Sequence, residues 1–194
     1  MIDDGVIKYK QHFTEAEPLP ETEIAELNEF RNRLFEMRLI GAYENGIGYG
    51  NISVLGKDGI IISGSQTGHI PKLTAEHYVL INQYSIEQNE LWCAGPIKAS
   101  SESLTHAAVY ELDPSIKAVI HIHSKTLWDK WLHKYPTTKA EIPYGTPEMA
   151  NEVSRLYNEG GMNQTPTMLM AGHEEGIITF GKDLGAAFDW IEKL

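Results

Sequence analysis

Residues 98–123 read KASSESLTHAAVYELDPSIKAVIHIH, and the fold is read outward from this stretch. It opens with two adjacent hydroxyls, Ser100 and Ser101, and a carboxylate, Glu102. An amphipathic run follows, then a turn signal at Asp113-Pro114, then an apolar segment ending in His121-Ile122-His123. The pattern predicts helix, turn, strand. It places small anion-binding groups, an acid/base and two metal-type ligands within one supersecondary unit.

The segment Lys117–His123 is apolar and β-branched, as a buried strand is. Side chains alternate across a strand, so His121 and His123 share a face, roughly 6.5–7 Å apart along the backbone. Two imidazoles at that distance can converge on one cation, and neutral imidazole suits zinc and other first-row divalent metals. The same His-x-His is also what the wet face of an ordinary strand carries. At the helix start, Ser100 or Ser101 can cap, with Glu102 in the first turn where the dipole favours a carboxylate. The same hydroxyls and N–H groups can hold a phosphate. Glu102 and His106 are four apart and share a helix face. An ordinary capping sequence reads identically.

On the N-terminal side, residues 1–20 read as an arm, with a short strand around Val6–Tyr9. Residues 21–45 carry Ile24, Leu27, Phe30, Leu34, Met37 and Ile40 at spacings of three and four, which predicts one covering helix with Thr22 as its cap. Gly46-Ile-Gly-Tyr-Gly-Asn51 then breaks the pattern, and a second loop of small residues runs from Ser63 to Gly68 after the apolar Gly59–Ile62. Neither loop is a Walker loop or a dinucleotide fingerprint. Together with Ser100 and Ser101, however, Asn51 and Thr67-Gly68 can surround one phosphate. On the C-terminal side, helices are expected over 126–133 and 147–157. Strands are expected at Thr167–Met170 and Ile177–Phe180, with Asp183 capping a final helix. The first of these strands delivers His173, the third metal candidate.

The 194 residues fit one domain, 1–194, with a substantial core. A formal charge of −11 argues against nucleic acid and anionic membrane as partners. The single cysteine, Cys93, rules out an internal disulfide and fits a reducing compartment. No apolar run is long enough to span a bilayer, and MIDDGVIKYK is not a signal peptide, so a cytoplasmic location is expected.

In order along the chain, Gly50-Asn51-Ile-Ser53, Thr67-Gly68 before Lys72-Leu-Thr74, Ser100-Ser101-Glu102, His121-Ile-His123, Pro143-Tyr-Gly-Thr146 and Gly172-His173 resemble the class II aldolase/adducin family, of the fuculose- and rhamnulose-phosphate aldolase type. The resemblance implies a three-layer α/β/α domain with a mainly antiparallel central sheet. It implies a homotetramer with active sites at subunit interfaces. It assigns the substrate phosphate to Asn51, Thr67, Gly68, Ser100 and Ser101. Glu102 becomes the acid/base, and His121, His123 and His173 bind one divalent metal per subunit, expected to be Zn2+. Three departures stand out. The segment between His123 and Tyr144 is shorter than in the sugar-phosphate aldolases, the sequence stops at Leu194, and His173 is followed by Glu174-Glu175 where the family pattern has glycine. The last departure adds two carboxylates as extra ligands or as groups behind the ligands.

The implied activity is cleavage of a small phosphorylated ketose through a metal-stabilised enediolate. The same enediolate serves an epimerase or a dehydratase. A non-catalytic scaffold like the adducin head is the alternative from another class, although a scaffold has no need of the full ligand set.

Overall fold

A computed structural model describes residues 5–194 of the protein. Its centre is an eight-stranded sheet in the order β1-β7-β6-β5-β4-β8-β10-β9. The strands are β1 (Lys10–Glu15), β4 (Asn51–Leu55), β5 (Ile60–Ser63), β6 (Tyr78–Ser85), β7 (Glu90–Gly95), β8 (Ala118–His123), β9 (Thr167–Leu169) and β10 (Gly176–Gly181). Two short strands, β2 (Gly41–Ala42) and β3 (Gly48–Tyr49), form a separate ribbon. The sheet is mixed where a mainly antiparallel one is expected: six of its seven ladders are antiparallel, and the N-terminal strand β1 docks parallel to β7 at the edge. Antiparallel ladders join the strands around β8.

Helices cover both faces. Alternation along β8 sends Val119 into one core with α2 (Ser103–Tyr110) and α4 (Pro147–Asn158). Ala118, Ile120 and Ile122 go to the other core, with α1 (Glu21–Glu36) and α5 (Leu184–Glu192). A short α3 (Lys125–Trp131) packs partly buried Leu127, Trp128 and Trp131 against this second core. With Val119 on the first face, His121 and His123 share its side of β8. Two apolar layers thus fix the strand's register, since a slip of one residue would reverse every side chain.

Several expectations are corrected. The N-terminal strand lies at Lys10–Glu15 rather than Val6–Tyr9; residues 1–4 of the expected arm lie outside the described residues. Helix α1 stops at Glu36, nine residues before the expected end. Arg38 there adopts φ 59°, its N–H reaches the Phe35 carbonyl, and the Leu39 N–H reaches back to Leu34. This is a Schellman-type stop with arginine in the position glycine usually holds. Leu39 and Ile40 remain buried after the turn, which is why the apolar stripe ran past it, whereas Met37 is exposed. The residue before α1 is Pro20, and Thr22 is inside the helix, so Thr22 does not cap it. Asp183 does cap α5, accepting from the Ala186 N–H at 2.7 Å. Among the described residues no helix is long and apolar enough to cross a membrane.

Candidate active site

The site is built where β4, β8 and the start of α2 meet. Asn51 is the first residue of β4 and pairs in register with His121 on β8. Gly50 just before it has φ +74°, and a Cβ there would meet Ile40 and the His121 carbonyl oxygen. Only glycine brings the chain into β4 this close to β8. Opposite, α2 begins after Glu102 rather than after a capping serine. Glu102 occupies the N-cap position without a side-chain cap bond, and the Ser100 hydroxyl accepts the Glu102 N–H at 3.3 Å. Ser100 and Ser101 therefore shape the turn into the helix instead of ending it.

One pocket gathers all nine residues singled out from the sequence: Asn51, Thr67, Gly68, Ser100, Ser101, Glu102, His121, His123 and His173. Their convergence comes from five separate segments. Gly68 is forced at its position, because a Cβ would overlap the Gly41 carbonyl oxygen.

The three imidazoles are buried, and each offers a nitrogen within 4.8 Å of the others'. Nε2 of His123 and Nε2 of His173 are 3.1 Å apart, near the roughly 3.3 Å that two nitrogens adopt on a tetrahedral zinc with bonds of about 2.0–2.1 Å. Burial holds His121 and His123 well below the usual histidine range, reinforced by the neighbouring imidazoles. They are therefore neutral, as metal ligands must be. The Tyr43 hydroxyl lies 2.8 Å from Nδ1 of His123 and donates to the Glu175 carboxylate at 3.3 Å. Its oxygen is then the acceptor for Nδ1–H of His123, and the Nε2 lone pair is left facing His173. His121 Nε2 is buried without a hydrogen-bond partner, and so is the Asn51 Oδ1. The Asn51 amide nitrogen sits 3.5 Å from His121 Nδ1, so turning the amide over would let Oδ1 accept Nδ1–H and free Nε2 for a cation. Inward lone pairs on buried nitrogens are a donor set that fits a divalent metal. Glu102, also buried, places Oε1 3.6 Å from His173 Nε2.

His106 does not join the pocket. It lies fully buried one helical turn on, with Nδ1 2.7 Å from the Ser53 hydroxyl, which also meets Tyr110 at 2.8 Å. Burial lowers its pKa to about 3. Glu175 stands behind His123 through Tyr43, whereas Glu174 points to Lys125 at 3.5 Å. Sequence reading missed Tyr43 and Tyr49, whose ring stacks on His123 with centroids 5.4 Å apart. It also missed Arg31, buried in α1, which donates to three carbonyls of the Thr67 loop. Two tyrosines in a glycine-rich stretch and an arginine on an amphipathic helix carry no local signal of such roles.

Comparison with known proteins bears on this arrangement. Residues 42–194 match the family model described as the class II aldolase and adducin N-terminal domain. A 3-oxo-tetronate 4-phosphate decarboxylase of Pectobacterium atrosepticum is 29% identical over 161 residues, covering 75% of this chain and 70% of that protein. The decarboxylase of the same name from Haemophilus influenzae is 28% identical over 175 residues, covering 78% and 77%. In fold, the L-fuculose-1-phosphate aldolase of Thermus thermophilus superposes with a TM-score of 0.61 at 22% identity, over 87% of this chain and 83% of that one. A family match across most of the sequence, taking in both segments that carry the three histidines, leaves one assignment: the chain belongs to the class II aldolase and adducin N-terminal domain family.

Proposed function

We propose that this chain is a metal-dependent carbon–carbon lyase acting on a small phosphorylated keto sugar or keto sugar acid. The observation that carries the proposal is the approach of Glu102 to His173 inside the pocket that Asn51, Thr67 and the serine pair also line. A divalent cation held by His121, His123 and His173, with zinc among the metals that imidazole suits, would act as a Lewis acid for negative charge developing on substrate oxygens. Asn51, the Thr67-Gly68 loop and Ser100-Ser101 anchor the phosphate and so set which carbon lies against Glu102. The Glu102 carboxylate then moves the proton at the carbon next to the carbonyl, in a buried setting that keeps water away. In aldol cleavage the carbinol hydroxyl gives its proton to the Glu102 carboxylate, the bond from that carbon to the carbinol carbon breaks, an aldehyde leaves, and Glu102 returns the proton to the carbon.

Decarboxylation is the second reading, favoured by the names of the two curated relatives. A four-carbon 3-oxo acid with phosphate on C4 loses C1 as carbon dioxide. The electron pair stays on C2, and protonation there leaves a three-carbon hydroxyketone phosphate. Both readings therefore ask the same residues to protonate the same carbon of the same product, dihydroxyacetone phosphate; they differ in the leaving group. Epimerase and dehydratase chemistry would need a second acid/base at the leaving group, and a scaffold role would leave the ligand set idle.

The test is to incubate zinc-loaded protein with phosphorylated ketoses and with 3-oxo-tetronate 4-phosphate. Coupled assays detect dihydroxyacetone phosphate, and carbon dioxide is measured separately. Product with carbon dioxide assigns decarboxylation; product with an aldehyde assigns aldol cleavage. No product from either class, in protein shown to carry metal, would sink the lyase reading. The homotetramer with interface sites belongs to the same proposal. It is supported by the family and by the sheet end at β1 and β7, where Trp92 stacks on His12 with only partial burial. Sedimentation equilibrium measures it.

A further inference from the structure

A phosphate monoester carries close to two negative charges near neutral pH, yet the pocket proposed to hold it has no lysine or arginine among its described lining residues. The chain around it carries a net charge of −11. A cation lies one peptide layer back. Arg31, on α1, is 1% exposed, and its guanidinium donates to the carbonyls of Pro71 at 3.0 Å, Thr67 at 3.0 Å and Gly68 at 3.2 Å. Among the described residues no carboxylate pairs with it; the Phe35 ring lies 4.9 Å from the guanidinium carbon. A buried cation is normally paired with an anion or it destabilises the fold.

We propose that Arg31 is the positioning residue of the anion site: it fixes the loop 64–71 from behind and leaves its charge to be balanced by the substrate phosphate. This rests on the phosphate reading given above. The geometry of the peptide unit supplies the first half. A trans peptide points its C=O and N–H in opposite directions. With the Thr67 carbonyl held on Arg31, the Gly68 N–H is turned away from α1. Among the described residues that N–H meets no acceptor, and it lies beside Gly48, another pocket residue. The Thr67 hydroxyl donates to the Gly64 carbonyl at 2.9 Å, and the Gln66 side chain accepts the Gly48 N–H at 3.1 Å, so the loop is closed on itself as well as pinned from behind. The second half follows from charge. Drawing electron density from the Thr67 and Gly68 carbonyls polarises their peptides and strengthens the N–H groups as donors. The guanidinium field acts in the same direction, through a layer where water cannot screen it.

The test uses inorganic phosphate as probe, on wild type, Arg31→Gln and Arg31→Lys, all zinc-loaded. Phosphate affinity is measured by calorimetry, zinc affinity by chelator competition, and loop order by amide exchange over residues 64–71. Wild type is expected to bind phosphate and to protect the loop on binding. In Arg31→Gln phosphate affinity should fall about tenfold or more, with faster loop exchange and unchanged zinc affinity. Arg31→Lys keeps the charge but lacks the planar fork, so it should recover part of the phosphate affinity while its loop still exchanges faster than wild type. A merely structural arginine would lower zinc and phosphate affinity together or neither. Folded Arg31→Gln with wild-type phosphate affinity overturns the inference and leaves the phosphate reading standing. Should Arg31→Gln not fold, Arg31→Lys decides alone: wild-type loop exchange and affinity in that variant overturn the role of the fork. Wild type that binds no phosphate overturns the phosphate reading itself, and Arg31 with it.

Discussion

Tyr43 decides, through one hydroxyl, which nitrogen of His123 is available to a metal. Its proton goes to Glu175, so its oxygen must accept Nδ1–H of His123. Groups behind a metal-binding histidine typically contribute about 10–100-fold in affinity. Tyr43→Phe is therefore expected to weaken zinc binding by that order, measured by competition with a coloured chelator, while His123 stays in place. Glu175→Gln should shift affinity in the same direction by less, since an amide can still accept from the phenol. Equal zinc affinity in Tyr43→Phe and wild type would remove Tyr43 from the metal site. Glu102 is the residue for which two roles predict different numbers. As a carboxylate at a helix N-terminus it contributes roughly 0.3–1 kcal/mol to stability. As the group that moves the proton it contributes about 10²–10⁴-fold in rate. In Glu102→Gln, exchange of solvent deuterium into dihydroxyacetone phosphate, followed by NMR, is expected to drop by the latter factor at near-normal stability. Zinc occupancy is measured in the same sample, because Glu102 stands 3.6 Å from His173 and its loss can disturb the metal. Exchange as fast as wild type in fully loaded protein would make Glu102 structural.

At the scale of elements, α2 is bound to β4 by a polar joint inside an apolar layer: Ser53 meets both His106 and Tyr110. His106 has its folded pKa pushed down to about 3, against about 6.5 in the unfolded chain. Below pH 6.5 the unfolded state takes up a proton that the folded state refuses, so this residue's contribution is present above pH 6.5 and is lost as pH falls towards 3. Between pH 7.5 and 5 the loss is about 2 kcal/mol, at 1.36 kcal/mol per pKa unit. Denaturant titrations of metal-free protein should show wild type losing about that much more stability than His106→Gln over this interval. Parallel losses would mean that His106 titrates normally. Which elements were legible in the sequence follows the same physics. The strand β8 was, because period-two alternation between two apolar layers leaves few other readings of AVIHIH. The end of α1 was not, because its left-handed stop uses Arg38 and two buried apolar residues follow it. The parallel docking of β1 was not, because it is decided by pairing with a strand about eighty residues away. The site residues that were visible bear chemistry in short local patterns. Tyr43 and Arg31 act across 80 and about 40 residues of chain, on groups no local window contains.

For the whole molecule, the histidine cluster means that metal binding and folding are one equilibrium. His121 and His123 come from β8, and His173 comes from the turn after β9, 50 residues later, so the three nitrogens converge only in the folded chain. A ligand that binds the folded state alone stabilises it by RT ln(1 + [L]/Kd), about 2.7 kcal/mol at a hundredfold excess over Kd. For a chain of this length each kcal/mol moves Tm by roughly 2–4 °C, so zinc should raise Tm by about 5–11 °C over chelated protein. The pH dependence has a definite sign. An exposed histidine site would lose its metal as pH drops through about 6.5. Here burial and mutual repulsion hold His121 and His123 well below that value, so both remain neutral and the zinc-dependent rise in Tm should persist to pH 6. His123→Ala removes one of the three nitrogens and should abolish most of the zinc-dependent rise, while its chelated form melts close to chelated wild type. Calorimetric scans with zinc and with chelator, at pH 7.5 and 6, measure all of these. Wild type that melts at the same temperature with and without zinc would show that the cluster holds no zinc, and would leave the Lewis-acid step of the proposed lyase without its cation.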